Sequence, residues 1–128
     1  TLAFRLRANP TKRIGKTNVG LPGKRVALVR EEEQIGWLIR KGRGSEADGT
    51  GGFELVMNEG APSVTVVPEG KKFGRKTENG IKHEMRHVAV LFEGVLRITD
   101  ADAFRRTLVR GIGSAKAFGC GLMLIKRA

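Results

Sequence analysis

The sequence predicts an α+β domain with a βαββαβ core and an inserted basic β-hairpin. Three observations predict it. The opening segment alternates apolar and polar residues with a period of two. Two later segments carry apolar residues at helical spacing, and a glycine follows each of them. The other apolar runs are short and bounded by Gly, Pro and Asn, as strands are.

Along the first segment Leu2, Phe4, Leu6 and Ala8 point one way and Ala3, Arg5 and Arg7 the other, which gives a half-buried strand with a basic open face. Asn9-Pro10 ends it. Residues 11–24 hold Gly15, Gly20, Pro22 and Gly23 and read as a basic loop. Arg25 to Val29 reads as a short strand. From Glu31 to Lys41 an acidic first turn and a basic last turn suit a helix dipole. Ile35, Leu38 and Ile39 supply the buried stripe there, and Gly42 is the expected stop. Gly42 to Gly52 reads as a flexible surface loop. Phe53–Met57 and Ser63–Val67 are strand candidates joined by a turn at 58–62. Lys71 to Lys82 is basic, and its Asn79-Gly80 is a hairpin turn signal. His87 to Phe92 reads as a buried strand that turns at Glu93-Gly94 and returns as Val95–Thr99. Thr99 or Asp100 caps a helix that runs to about Arg110, with Ala101, Phe104 and Leu108 on one face and Gly111 at its end. Leu122 to Ile125 is the last strand. With 25–29 and 53–77 set aside as additions, the order is strand, helix, strand, strand, helix, strand, the ferredoxin-like (RRM-like) pattern. Its helices cover one face of the sheet and leave the other for a ligand, often RNA.

Composition bounds the partner. The 128 residues suit one domain, and 24 Lys and Arg against 13 Asp and Glu leave a net charge of +11. Such a surplus favours polyanions, either nucleic acid or an acidic membrane surface. It is also directed. Residues 1–29 hold Arg5, Arg7, Lys12, Arg13, Lys16, Lys24 and Arg25 without one acid, and Glu31, Glu32 and Glu33 follow at once. No apolar run reaches the ~18 residues of a membrane span, and the chain opens on a strand-like segment rather than a signal peptide. A lone cysteine, Cys120, has no internal disulfide partner and points to an intracellular, cytoplasmic protein.

Two motifs carry candidate chemistry. Gly111-Ile-Gly113-Ser-Ala-Lys116-Ala-Phe-Gly119-Cys-Gly121 pairs two Gly-x-Gly turns around a cation. Glycines let the backbone approach a phosphate, and successive amides form an anion-binding nest. The loop serves equally as a helix cap and a structural turn. It follows a helix and precedes a strand, so it is neither a dinucleotide fingerprint nor a Walker A loop. His83-Glu84-Met-Arg-His87 has the H-E-x-x-H form of zinc proteases. That motif needs a helix, and this run continues into a strand, where the two imidazoles would stand ~13 Å apart. No histidine lies beyond His87 to complete a site. A small zinc metallohydrolase is the alternative reading these residues leave open.

The glycine loop resembles that of the RAMP superfamily of CRISPR proteins. Phe4-Arg-Leu-Arg-Ala-Asn-Pro10, Gly23-Lys-Arg-Val26, Val90-Leu-Phe-Glu-Gly94 and the loop itself together resemble the type I-E CRISPR-associated endoribonuclease family, CasE, from Leu2 nearly to the last residue. The resemblance implies two ferredoxin-like domains, of which residues 1–128 match the C-terminal, RNA-binding one. It implies metal-independent cleavage at the base of a repeat hairpin in pre-crRNA, retention of the product, and no cofactor. Its implied partners are the repeat RNA stem-loop, the N-terminal domain of the same protein and the Cascade subunits, with no membrane. The family's reactive histidine belongs to the N-terminal domain. No residue here matches it, so no catalytic residue is expected and this chain alone is expected to be inactive. The RNA-binding positions implied are Arg5, Arg7, Lys24 and Arg25 in family motifs, and Gly111, Gly113, Lys116, Gly119 and Gly121 in the loop. Lys71, Lys72, Arg75 and Lys76 stand where the family has a hairpin that enters the groove of the RNA stem.

Overall fold

The computed structural model describes residues 1–14, 24–78, 81–114, 116 and 119–128, with residues 24, 70–78 and 81–88 described by their backbone alone. The strands are β1 (Leu2–Ala8), β2 (Thr11–Ile14), β3 (Lys24–Ala27), β4 (Phe53–Leu55), β5 (Met57–Asn58), β6 (Ala61–Pro62), β7 (Val64–Glu78), β8 (Ile81–Ile98) and β9 (Met123–Arg127). The helices are α1 (Glu31–Arg43) and α2 (Ala101–Arg110). The main sheet runs β4-β8-β1-β9, all antiparallel, with β7 also paired to β8.

The register shows how the pattern is met. Leu55 pairs with Leu96 and Val64 with Gly94, so β4 and β7 occupy successive stretches of β8. The small β5–β6 ladder leaves the sheet between them. Residues 53–78 are therefore the second strand of the βαββαβ pattern, not an addition to it. Nor is Glu93-Gly94 a turn, because β8 continues through it to Ile98. Gly94 is there for a close crossing: a Cβ at that position would fall 2.9 Å from Val64 Cα. The amide of Val95 then donates to Ser63 O at 3.0 Å. Within the expected basic loop, Thr11–Ile14 is a strand paired with Lys24–Ala27, and residues 15–23 lie outside the described residues.

Phe4, Leu6 and Ala8 are buried as their alternation predicts, while Arg5 and Arg7 are exposed on the other face. α1 continues to Arg43 and stops at Gly44, whose φ is 74° and whose amide donates to Arg40 O at 3.0 Å. Gly42 lies inside the helix, where a Cβ would press to 3.1 Å from the Phe53 ring. On α2 the Asp100 carboxylate caps the amides of Asp102 and Ala103, both at 3.1 Å. Its buried face is Ala103, Phe104 and Thr107, rather than the stripe through Ala101, which is exposed. Both helices pack on the Phe4 side of the sheet, where Trp37 stacks on Phe92 with centroids 6.1 Å apart and Phe53 meets Phe104 edge-on at 5.9 Å. The 42–52 segment is tied to α2: the Thr107 hydroxyl accepts from Gly51 N at 2.7 Å and donates to Gly51 O at 2.9 Å. Among the described residues no helix is long and apolar enough to cross a membrane.

One end of the sheet gathers the basic elements. β1 stops at Ala8, opposite Val90. Beyond that point β8 pairs only with β7, through Lys71↔Val88 out to Glu78↔Ile81, as a two-stranded ribbon. Asn79 and Gly80, where the turn is expected, lie outside the described residues. The β2–β3 hairpin leaves from the same end, held by Leu28 N to Pro10 O at 2.9 Å. So does the loop from α2 to β9, held by Gly121 N to Arg7 O at 2.7 Å.

Candidate nucleic-acid interface

The two ends of the glycine loop are hydrogen-bonded to each other. Gly111 caps α2 through its amide to Thr107 O at 2.9 Å, and Ile112 N donates to Gly121 O at 2.8 Å, which brings the two Gly-x-Gly turns together. Gly111, Gly113, Gly119 and Gly121 all have φ between 82° and 98°. At Gly113 a Cβ would also come within 2.8 Å of the Trp37 ring, so both space and backbone demand glycine. The Asn9 side-chain amide donates to Ser114 Oγ at 3.1 Å and ties the loop to the end of β1. Lys116 is exposed, and its stem crosses the two turns, its Cε 3.2 Å from where a Gly111 Cβ would lie and its Cγ 3.3 Å from one at Gly121.

Between this loop, the β2–β3 hairpin and the last turns of α1 and α2 lies a cleft of about 320 Å³. Among the described residues its cations are Lys12, Arg13, Arg25, Lys41, Arg110 and Lys116, and its one carboxylate is Asp48. Asp48 pairs with Arg110 at 3.7 Å, and Lys12 pairs with Glu33 at 3.8 Å. Hydrogen bonds from the Thr50 hydroxyl and amide hold the Asp48 carboxyl below the ordinary carboxylate range, so it stays ionised. Lys41 is exposed as a residue, yet its ammonium lies 5.5 Å from the centre of the Trp37 ring. Partial desolvation, then repulsion from Arg25, lowers its pKa from the ordinary lysine value.

The structure brings Arg25, Gly111, Gly113 and Lys116 to the lining of this cleft, while Gly119 and Gly121 are not part of that lining. Arg5 and Arg7 stand apart from it, on the open face of the sheet. Arg5 Nε is 3.1 Å from Glu93 Oε1, its cross-strand neighbour. Arg7 donates to both Glu69 oxygens, from Nε at 2.6 Å and from Nη2 at 3.1 Å, which raises its pKa. Ion-paired in this way, both arginines offer an anion less than their free charge suggests. Lys71, Lys72, Arg75 and Lys76 lie along β7 in the ribbon, and Lys24 opens β3; the side chains of all five lie outside the described residues. His83 and His87 lie on extended β8, opposite Lys76 and Lys72, and four residues of strand separate them by ~13 Å. The backbone thus withholds the helical spacing that a zinc-protease motif requires, and the metallohydrolase reading is not supported.

Lys12, Arg13, Lys41 and Arg110 are cleft residues that motif spacing did not single out. Lys41 and Arg110 end helices, where a cation is explained by the dipole alone, so only the tertiary arrangement reveals them. Lys12 and Arg13 were visible as charge but not as strand.

Comparison with known proteins places these features. Residues 1–127 match the family model described as "CRISPR associated protein". The chain is 38% identical over 126 residues to the CRISPR-associated endoribonuclease Cse3 of Thermus thermophilus, covering 97% of this chain and 54% of that protein. It is 36% identical over 128 residues to the Cascade subunit CasE of Escherichia coli, covering 95% and 56%. A solved structure of Cse3 bound to 19-nucleotide RNA is similar with a TM-score of 0.78 at 37% identity, covering 98% of this chain and 55% of that one. The chain thus spans about half the length of the relatives it matches.

Proposed function

Since the chain belongs to the CRISPR associated protein family, we propose that it is the RNA-gripping domain of a repeat-RNA processing endoribonuclease. One observation carries this: the basic ribbon, the β2–β3 hairpin and the glycine loop all leave the sheet at the Ala8 end. A two-stranded ribbon is the right width to enter a nucleic-acid groove, and a glycine loop admits a phosphate to its backbone. Cse3, similar over this whole chain, has been solved with RNA bound. The RNA is a repeat stem-loop, met in the cytoplasm. The partners are an N-terminal domain that brings the reactive histidine, and the other subunits of Cascade. In the reaction a ribose 2′-hydroxyl attacks the adjacent phosphate, leaving a 2′,3′-cyclic phosphate and a 5′-hydroxyl. This domain contributes by holding the stem so that the scissile bond stays in place, which lowers the barrier through proximity.

The test is to incubate the chain with a labelled repeat hairpin, in EDTA and with added zinc. The expected outcome is a retarded complex and intact RNA in both. The only imidazoles are His83 and His87, and they belong to the gripping ribbon. Site-specific cleavage in EDTA that disappears in His83→Ala or His87→Ala would show that this domain carries its own catalyst. In titrations at several salt concentrations Lys72→Ala or Arg75→Ala should each lower the log–log salt slope by about one, since each phosphate contact releases about one counterion. An unchanged affinity and slope in both variants would take the ribbon out of the interface.

A further inference from the structure

The 320 Å³ cleft lies between two elements that the stem-loop reading already uses, and that reading does not say which part of the RNA enters it. After the Arg110–Asp48 and Lys12–Glu33 pairs are formed, Arg13, Arg25, Lys41 and Lys116 still face it, and among the described residues its one carboxylate is already engaged. The cations come from four separate elements, β2, β3, α1 and the glycine loop, so the fold brings like charges together around a half-open cleft. That arrangement costs free energy unless an anion sits among them. Size narrows the ligand. The volume equals roughly ten water molecules at ~30 Å³ each, room for one phosphate with its sugar and far too little for a duplex. Position narrows it again, because two walls of the cleft, the β2–β3 hairpin and the glycine loop, leave the sheet at the end from which the ribbon projects.

We propose that this cleft holds an internal phosphodiester of the single-stranded RNA that adjoins the stem. The inference rests on the RNA-binding reading above and adds to it a second contact point, specific for unpaired RNA. Lys41 is its central residue, held over the Trp37 ring. A phosphate beside the Lys41 ammonium opposes the desolvation and repulsion that lower its pKa, so RNA binding draws that pKa back toward the ordinary lysine value.

The chain carries a single tryptophan, Trp37, and it lines the cleft, so its emission reports occupancy directly. Five ligands are titrated into the parent chain: a uridine tetranucleotide with hydroxyl ends, the same oligonucleotide with a terminal phosphate, inorganic pyrophosphate, a blunt repeat hairpin, and that hairpin with a single-stranded tail. The tetranucleotide with hydroxyl ends is expected to shift Trp37 emission saturably, with pyrophosphate competing. Lys41→Met should weaken that binding at least tenfold and Arg13→Ala about threefold, with melting temperatures near the parent's. In gel shifts the tail should tighten hairpin binding at least tenfold for the parent and not for Lys41→Met, while the blunt hairpin binds both alike. Equal tail benefit in parent and Lys41→Met, or no benefit in either, overturns the proposal. Binding of the terminally phosphorylated oligonucleotide alone overturns it in favour of an end-phosphate site. If the tetranucleotide binds through Lys41 and the blunt hairpin binds nothing, the stem-gripping reading fails while the cleft stands.

Discussion

Replacing Gly113 by valine is expected to lower the melting temperature by about 10 °C or more and to abolish RNA binding through the glycine loop. Two costs add. Left-handed backbone at φ 84° costs a β-branched residue roughly 1–2 kcal/mol. Its Cβ would also stand 2.8 Å from Trp37 Cζ2, an overpacking of the core worth roughly 1–3 kcal/mol. At about 4 °C per kcal/mol for a domain of this size, the sum gives the expected shift. Gly119→Val is the internal control. Its φ is 82°, but among the described residues nothing lies within 4 Å of where its Cβ would be, so only the backbone cost applies and a shift of about half as much is expected. Thermal melts followed by circular dichroism, with hairpin titrations alongside, decide the matter. Equal shifts in both variants would show that the Trp37 contact carries no weight.

Excising the ribbon is expected to reduce hairpin affinity at least ~100-fold at moderate salt while leaving the core folded. Past Pro68↔Val90, β7 and β8 hydrogen-bond only to each other, so residues 71–88 add nothing to the register of β1 or β9. Joining Gly70 to Ala89 through Asn-Gly keeps every residue of the hydrophobic core. The same excision removes Lys71, Lys72, Arg75, Lys76, Lys82 and Arg86 against only Glu78 and Glu84. The measurements are the melting temperature, the dissociation constant and the salt slope. A folded excision variant that binds the hairpin as the parent does would assign recognition to the cleft and loop instead.

Elements governed by local rules were legible in the sequence. β1 needed only its alternation, and the Asp100 cap and Gly111 stop of α2 needed only their side chains. Two differences share one cause, a glycine that serves a tertiary contact while its local sequence suggests punctuation. Gly94 reads locally as a turn, yet the reason for it lies in the crossing of Ser63 and Val64, some thirty residues earlier in the chain. Gly42 reads locally as a helix stop, yet it is there because Phe53 crosses it closely, backbone and ring. The same limit applies to the candidate site. The glycine loop is a contiguous pattern and could be read, whereas the cleft draws on residues from Lys12 to Lys116 and exists only once the chain is folded. Arg5 and Arg7 show the converse, since their cationic character was plain and their partners, Glu93 and Glu69, were not.

The pairing of β1 with β9 sets an order of assembly. Leu2 lies opposite Arg127, so β1 waits for a strand far later in the chain to complete its hydrogen bonding. β1 finds β8 earlier, but that too is a contact across most of the chain. Closing such long loops costs entropy before any contact offsets it, which makes for slow folding. On a ribosome adding ~5–20 residues per second, the helices and the self-contained ribbon form while β9 is still unmade. The glycine loop, whose Gly121 amide must reach Arg7 O, closes only with β9. A nascent chain therefore has its basic ribbon before it has the cleft, which is completed only when β9 closes the glycine loop.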